Sequence, residues 1–217
     1  MKLNLCCGTN LFPGWVNIDK TNVEADYLRH LRDAPEGFVW PPEQQKLADA
    51  VKAGQLEFIR HDVRKGLPYA DGSVEAIYVG QAIEHFNRRT EAPALLSECR
   101  RVLKPGGSIR LTTPDIRTLV AGFNLLNMGV WAYEQPAFYV DALPEDQLSY
   151  LLFGASGDNC TADNYEGHFH CYTTRSLYQL LTECGFDCDW NAQMPDVFSD
   201  TIDKGMSHSF AIEAVKP

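Results

Sequence analysis

No stretch of this 217-residue sequence approaches 18 consecutive apolar residues, which excludes a membrane-spanning helix from the expected elements. The run from Met1 to Gly8 is too short in its apolar part for the h-region of a signal peptide, so a cytoplasmic location is expected. Positive charge is scarce: 19 Lys and Arg stand against 29 Asp and Glu, a net charge of -10. That balance opposes adhesion to phosphate backbones and anionic lipid, so neither nucleic acid nor a membrane is expected as a partner. The seven cysteines (Cys6, Cys7, Cys99, Cys160, Cys171, Cys184, Cys188) are odd in number and contain no Cys-x-x-Cys pair. A disulfide framework and a zinc ribbon are both poor readings of them; they read as small buried hydrophobes in a reducing compartment. Internal repeats and low-complexity tracts are absent too. What is present, 45% hydrophobic and 22% charged residues, is an ordinary globular composition, and the length fits a single domain over 1–217.

The chain alternates strand and helix signals. Lys2 to Cys6 reads as a strand running into Cys7-Gly8-Thr9-Asn10, and Trp15 to Asp19 as a second strand after the turn Pro13-Gly14. Ten residues separate Gly8 from Asp19, so the crossover helix expected there is cut to about one turn. A short helix is expected over 25–32, and Pro42 suits the first position of a helix that Gly54 closes. Leu56 to Arg60 reads as a third strand ending at His61-Asp62, and Val74 to Val79 as a fourth ending at Gly80-Gln81. Leu95, Leu96, Cys99, Val102 and Leu103 fall at helical spacing before Lys104-Pro105-Gly106-Gly107 turns the chain into a fifth strand, Ser108 to Thr113. A helix through Leu119 and Phe123 follows, and Asp115 suits either its N-cap or the substrate side. Residues 129–170 read as an aromatic cap with one helix near 145–153. Thr174 to Cys184 is a helix with Thr173 or Thr174 as N-cap and Gly185 after it; Phe186 to Trp190 and Ser207 to Val215 read as the last strands.

This alternation argues for a doubly wound open sheet, in which ligands sit outside the carboxyl ends of the central strands. Four polar segments fall there: Cys7 to Asn10, Asp19-Lys20, Asp62-Val63 and Gln81 to Phe86. A Gly turn admits close approach of a ligand to the backbone, and a carboxylate on the neighbouring strand suits a ribose diol, because it accepts from both hydroxyls. Asp62 suits an adenine amino group. Together these features imply a nucleoside-bearing ligand, although Cys7-Gly8 is not Gly-x-Gly-x-x-Gly.

Leu3 to Gly8 followed by Pro13-Gly14-Trp15-Val16-Asn17-Ile18-Asp19 resembles the opening of a branch of the class I S-adenosylmethionine-dependent methyltransferases. Leu67 to Tyr78, Ile83-Glu84-His85-Phe86 and Arg101 to Gly107 are similar to the middle of that family. Gly167-His168-Phe169-His170 with Ser176 to Leu181 and Cys184-Gly185-Phe186 is similar to its C-terminal part. The resemblance implies an α/β, Rossmann-like, doubly wound sheet of seven strands in the order 3-2-1-4-5-7-6 with the last strand antiparallel. It implies S-adenosylmethionine as cofactor and S-adenosylhomocysteine as product. Cys6, Cys7 and Gly8 would face the methionine moiety, Asp19 the ribose with Lys20 beside it, Asp62 and Val63 the adenine, and Gln81 the sulfonium end. Cys6 stands where the family usually has Gly, so either the backbone approaches the cofactor less closely or the side chain points away into the sheet.

Methyl transfer from a sulfonium is an in-line displacement governed by alignment, and a hydroxyl acceptor also needs a base. His85, at the ligand edge, is the first candidate; the alternative is that Glu84 and His85 only begin a helix. His168 and His170, two apart, face one way on an extended segment and are candidates for the acceptor pocket. With Cys160 or Cys171 they form no recognised ligand spacing, and no metal is expected. Arg88-Arg89 and Arg100-Arg101 read as solvated helix faces. The expectation is a small-molecule or sugar acceptor, O-methylation ahead of N-methylation, with residues 20–55 and 116–170 forming the substrate side, in a monomer or homodimer. A lyase or cyclase consuming the same cofactor, or a cofactor-binding module, are the alternatives.

Overall fold

Period-two alternation sets the sheet. In β1 (Lys2–Leu5) and β2 (Val16–Asp19), Leu3, Leu5, Val16 and Ile18 enter one core, while Asn4 and Asn17, paired in register, point to the other face. The computed structural model describes residues 1–21, 24–35, 38–127, 152, 167–188, 196–199, 201 and 208–217. Within them, β3 (Glu57–Arg60), β4 (Val74–Gly80), β5 (Leu103–Pro114) and β6 (Ser209–Val215) complete a six-stranded sheet in the order β3-β2-β1-β4-β5-β6. All neighbours pair in parallel except β6, which runs antiparallel to β5. β6 is the antiparallel last strand of the expected order. Of the strand expected at 186–190, the described residues contribute one antiparallel bridge, Asp187 to Val215, on the far side of β6. Residues 189–190, the helix expected over 145–153 apart from Leu152, Cys160 and the cap aromatics from Trp131 to Tyr165 lie outside the described residues.

Helices cover both faces. On one, α3 (Glu91–Val102) and α5 (Thr174–Glu183) bury Leu95, Leu96, Cys99, Leu177, Leu180 and Leu181 against Leu3, Leu5, Ile77 and Val79. Thr173 is the N-cap of α5: its hydroxyl accepts from the Ser176 amide at 3.1 Å, and Ser176 Oγ accepts from the Thr173 amide at 2.9 Å. On the opposite face α1 (Glu24–Arg32) and α2 (Pro42–Lys52) enclose Leu28, Leu31, Leu47 and Val51 with Cys7, Leu11 and Trp40. Helix α4 (Ile116–Asn127) follows β5; Asp115 accepts from the Arg117 amide at 3.0 Å, the capping role among the two read for it. Among the described residues no helix is long and apolar enough to cross a membrane.

The first crossover departs from expectation. It contains no helical turn among residues 6–15, only hydrogen-bonded turns such as Asn10 N to Cys7 O at 2.7 Å. Ten residues cannot both span the sheet and wind a helix, so side chains do the covering: Phe12 and Trp15 pack on Ala76 and Tyr78 with Phe198. The loop's polar backbone is satisfied from below, Asn17 bonding to Phe12 N, Phe12 O and Trp15 O, and Asn4 donating to Asn10 O at 2.6 Å.

Arg101 also departs from expectation. It is not part of a solvated face: its guanidinium grips Glu98 through two bonds of 2.8 Å, Asp71 Oδ1 at 2.7 Å, and the carbonyls of Leu67 and Tyr69 at 2.9 and 2.8 Å. This fixes the approach to β4 against α3, as Glu98 in turn accepts from the Leu67 amide at 3.0 Å. A lysine cannot reproduce the planar fork, so Arg101→Lys is expected to cost about 1 kcal/mol in urea unfolding, the smaller end of the range because solvent partly screens the pair. The Arg101 guanidinium and the Leu67 amide hold Glu98 down from 4.5 to about 2. Since its folded value is depressed, its stabilisation is full above pH 4.5 and is lost as pH falls through about 2; Glu98→Gln removes that dependence.

Candidate active site

The carboxyl ends of β1, β2, β3 and β4 open on one cleft of about 260 Å³, lined by Cys6, Asp19, Lys20, Thr21, His61, Asp62, Val63, Arg64, Gln81, Ala82, His85 and Phe86. Seven residues expected from the sequence meet here: Cys6, Asp19, Lys20, Asp62, Val63, Gln81 and His85. Ala82 and Phe86 belong to the expected segment Gln81 to Phe86, whereas Thr21, His61 and Arg64 lie outside the four expected segments. Thr21 had a local signal, since a residue two after Asp is the spacing of an Asx turn, and its amide and hydroxyl donate to Asp19 Oδ1 at 2.8 and 2.7 Å. Arg64 had none; its place depends on the turn over Val63–Lys65, which is capped by Asp62 accepting from the Arg64 amide at 3.0 Å. It lies over the Phe86 ring and pairs with Glu91 at 3.0 Å.

Among the described residues two non-glycine residues hold left-handed backbone, and both border the cleft: Cys6 at φ 53 and Gln81 at φ 51. Such strain persists where the surroundings impose it, commonly at functional sites. The Cys6 side chain packs partly against the main core, and burial, with the Asp19 carboxylate, pushes its thiol up to about 12. It is therefore a neutral group rather than a nucleophile. Cys7 turns its side chain into the cluster around α1 and α2 and does not line the cleft; its amide donates to Ile18 O at 3.1 Å and its carbonyl accepts from Asn10 N at 2.7 Å. Gly8, at φ 47, donates its amide to Asp19 Oδ2 at 2.9 Å, and a Cβ there would enter open space. Asp19 thus already accepts three hydrogen bonds, from Gly8 N, Thr21 N and Thr21 Oγ1. A carboxylate has roughly four lone-pair positions, so receiving a diol requires the Thr21 hydroxyl to rotate away.

Beyond the cleft, Glu84, Thr113, Pro114, Leu119, His168, His170 and Cys171 close around a crevice too narrow to admit a water. His85 and His168 join the two, their rings edge to face with centroids 4.7 Å apart. His168 and His170 border the same space but part company: His170 lies against Tyr172 at 4.6 Å, and burial, with Arg88 nearby, lowers its affinity for a proton. The sequence reading passed over Glu84 except as a helix start. Its carboxyl is 2% exposed, accepts from Thr113 Oγ1 at 3.0 Å, and is raised by burial to about 7, against weaker opposing hydrogen bonds. A carboxyl that ionises near neutrality beside two imidazoles is a signature of a chemical rather than a purely structural cluster.

The cleft suits a nucleoside bearing an amino acid. Gln81 lines the cleft, its Oε1 buried with no hydrogen-bond partner among the described residues, while its Nε2 donates to Ser209 Oγ at 3.2 Å. The unfilled volume above Gly8 leaves room for the ligand's approach. Comparison with known proteins bears on the same region. Residues 39–111 match the family described as "Methyltransferase domain", a segment that includes Asp62, Val63, Gln81 and His85 but neither Gly8 nor Asp19. A probable S-adenosylmethionine-dependent methyltransferase of Mycolicibacterium smegmatis is 39% identical over 64 residues, 30% of this chain and 24% of the relative, so the match spans about a quarter of that protein's length. In fold, the chain is similar to the PH0226 protein of Pyrococcus horikoshii, with TM-score 0.54 and 16% identity over 99% of this chain and 80% of the other. It is also similar to an S-adenosylmethionine-dependent methyltransferase of Methanosarcina mazei, with TM-score 0.50 and 17% identity over 99% and 91% of the two chains. The matched segment runs from α2 into β5 on this sheet order, and over it the chain is similar to S-adenosylmethionine-dependent methyltransferases.

Proposed function

We propose that the protein transfers a methyl group to a small-molecule acceptor, at a hydroxyl oxygen in preference to nitrogen. The observation that carries this reading is His85, which lines the cleft and meets the His168 ring edge to face at 4.7 Å. S-adenosylmethionine supplies the methyl on a sulfonium and leaves as S-adenosylhomocysteine. Asp19 orients the ribose, Asp62 and Val63 border the adenine, and Gln81 Oε1 accepts from the ammonium of the methionine part. The acceptor enters from the His168 side, and its hydroxyl proton passes to a ring nitrogen of His85 as the oxygen bonds to the methyl carbon.

Calorimetry with S-adenosylhomocysteine tests the cofactor half of this reading. Asp19→Ala removes a charged acceptor and frees the Gly8 turn, so its affinity is expected to fall roughly 10- to 100-fold. Wild-type affinity in that variant overturns the ribose assignment. Product analysis tests the reaction: S-adenosylhomocysteine should accumulate only when an acceptor is added. Methylthioadenosine formed from the cofactor alone, or no turnover with any acceptor, overturns it.

A further inference from the structure

Glu84, His85 and His168 bring a carboxylate oxygen and two imidazole nitrogens within 4.8 Å of one another. The two chain segments that supply them are held in register through the backbone, because the amides of Phe169 and His170 both donate to the Glu84 carbonyl, at 2.8 and 3.3 Å. Two of the three side chains also have an outer partner. Thr113 Oγ1 donates to Glu84 Oε2 at 3.0 Å, and His168 Nδ1 lies 3.1 Å from the Leu152 carbonyl. A carbonyl can only accept, so Nδ1 carries the proton and Nε2 the lone pair. Outer hydrogen bonds of this kind orient histidine and carboxylate ligands around a cation. Glu84 is 2% exposed, and among the described residues no lysine or arginine forms an ion pair with it. A buried carboxylate in that position calls for either a proton or a compensating cation.

We propose that Glu84, His85 and His168 hold a divalent transition-metal ion of the zinc class, with its open coordination position toward the cofactor cleft. Two imidazoles and one carboxylate are a donor set for zinc or its neighbours rather than for magnesium or calcium, which take oxygen. Ligand bonds of about 2.1 Å require the three atoms to draw together by about 1 Å. The functional consequence rests on the reading of His85 as proton acceptor. A ring nitrogen whose lone pair binds the ion cannot also take a proton from the methyl acceptor, so occupation stops transfer without displacing the cofactor.

Chelator-treated full-length protein titrated with Co2+ is expected to take up one equivalent and to show visible ligand-field bands without thiolate charge transfer. Glu84→Gln, which keeps the side chain's shape, and His168→Ala should each weaken Co2+ binding more than about tenfold, the scale on which even an outer partner acts. Both variants should still bind S-adenosylhomocysteine like the wild type, which shows that they fold. A Co2+ spectrum unchanged in both variants, or one carrying thiolate charge transfer, overturns the site. Zn2+ added during turnover is expected to halt methyl transfer with no change in S-adenosylhomocysteine affinity; transfer that continues at saturating Zn2+ overturns the competition. Co2+ binding as described in a protein that methylates no acceptor leaves the metal site standing and removes the proposed function. Normal methyl transfer with no Co2+ binding does the reverse.

Discussion

His85→Ala is expected to lower kcat for a hydroxyl acceptor by about 10²- to 10⁴-fold, while S-adenosylhomocysteine affinity stays largely intact. Substitution at this position removes a side chain without loosening the backbone that carries it. The His85 amide donates to Ala82 O at 2.9 Å, and Arg64 Nη2 donates to the His85 carbonyl at 3.1 Å, neither through the ring. Positioning of acceptor and methyl, the larger part of methyl transfer, therefore survives, and the missing term is proton removal. The discriminating measurement is the acceptor series. A neutral amine or a preformed thiolate attacks without first giving up a proton, so the variant should lose far less on those, and added imidazole should restore part of the hydroxyl reaction. An equal loss on all acceptors would mean that His85 shapes the site instead of taking the proton. An unchanged kcat on the hydroxyl acceptor would remove it from the chemistry altogether.

The site was legible in the sequence to the extent that chemistry and strand ends coincide. Asp19 ends β2, and Asp62 and Gln81 stand within two residues of the ends of β3 and β4; a parallel sheet brings such residues to one edge whatever the intervening chain does. Glu84 was not legible in the same way, because its burial depends on residues 167–171 docking over it, a contact between segments far apart in the chain. Arg101 was misread for a related reason. An exposed arginine and an arginine gripping two carbonyls and two carboxylates look alike until the loop over 67–71 is placed. The length of the first crossover did announce a reduced helix. Its complete absence follows from Phe12 and Trp15 being large enough, with Phe198, to cover Ala76 and Tyr78, which residue counting does not reveal. The sequence did contain one pointer to this arrangement. Asn4 and Asn17 occupy the pleat phase of the opposite face in adjacent strands, where a covering helix would have called for apolar residues.

That pair is the basis of the second large effect. Asn17→Leu is expected to destabilise the protein by about 3–5 kcal/mol, read as a lower urea midpoint with an unchanged slope. Asn17 is fully buried and its amide meets five partners: Oδ1 accepts from Phe12 N at 2.8 Å and Asn4 Nδ2 at 2.9 Å, and the two protons of Nδ2 are shared among Phe12 O, Trp15 O and Glu57 O at 3.0–3.1 Å. Four of these partners are backbone groups, which no compensating mutation can delete. An apolar side chain of similar size fills the space but takes the partner from the Phe12 amide and the Trp15 carbonyl, at about 1–3 kcal/mol each before the loop relaxes, while Phe12 O keeps the Trp15 amide at 3.3 Å. Asn17→Asp should be no better, since it gives up the donated bonds and adds a buried charge. The effect reaches the cleft because the same loop links Gly8 to Asp19, whose 2.9 Å bond shapes the ligand edge. Cofactor affinity in the folded variant should therefore fall as well. A loss of less than about 1 kcal/mol would show that the helix-free crossover is held by Phe12 and Trp15 alone and that its buried amides contribute little.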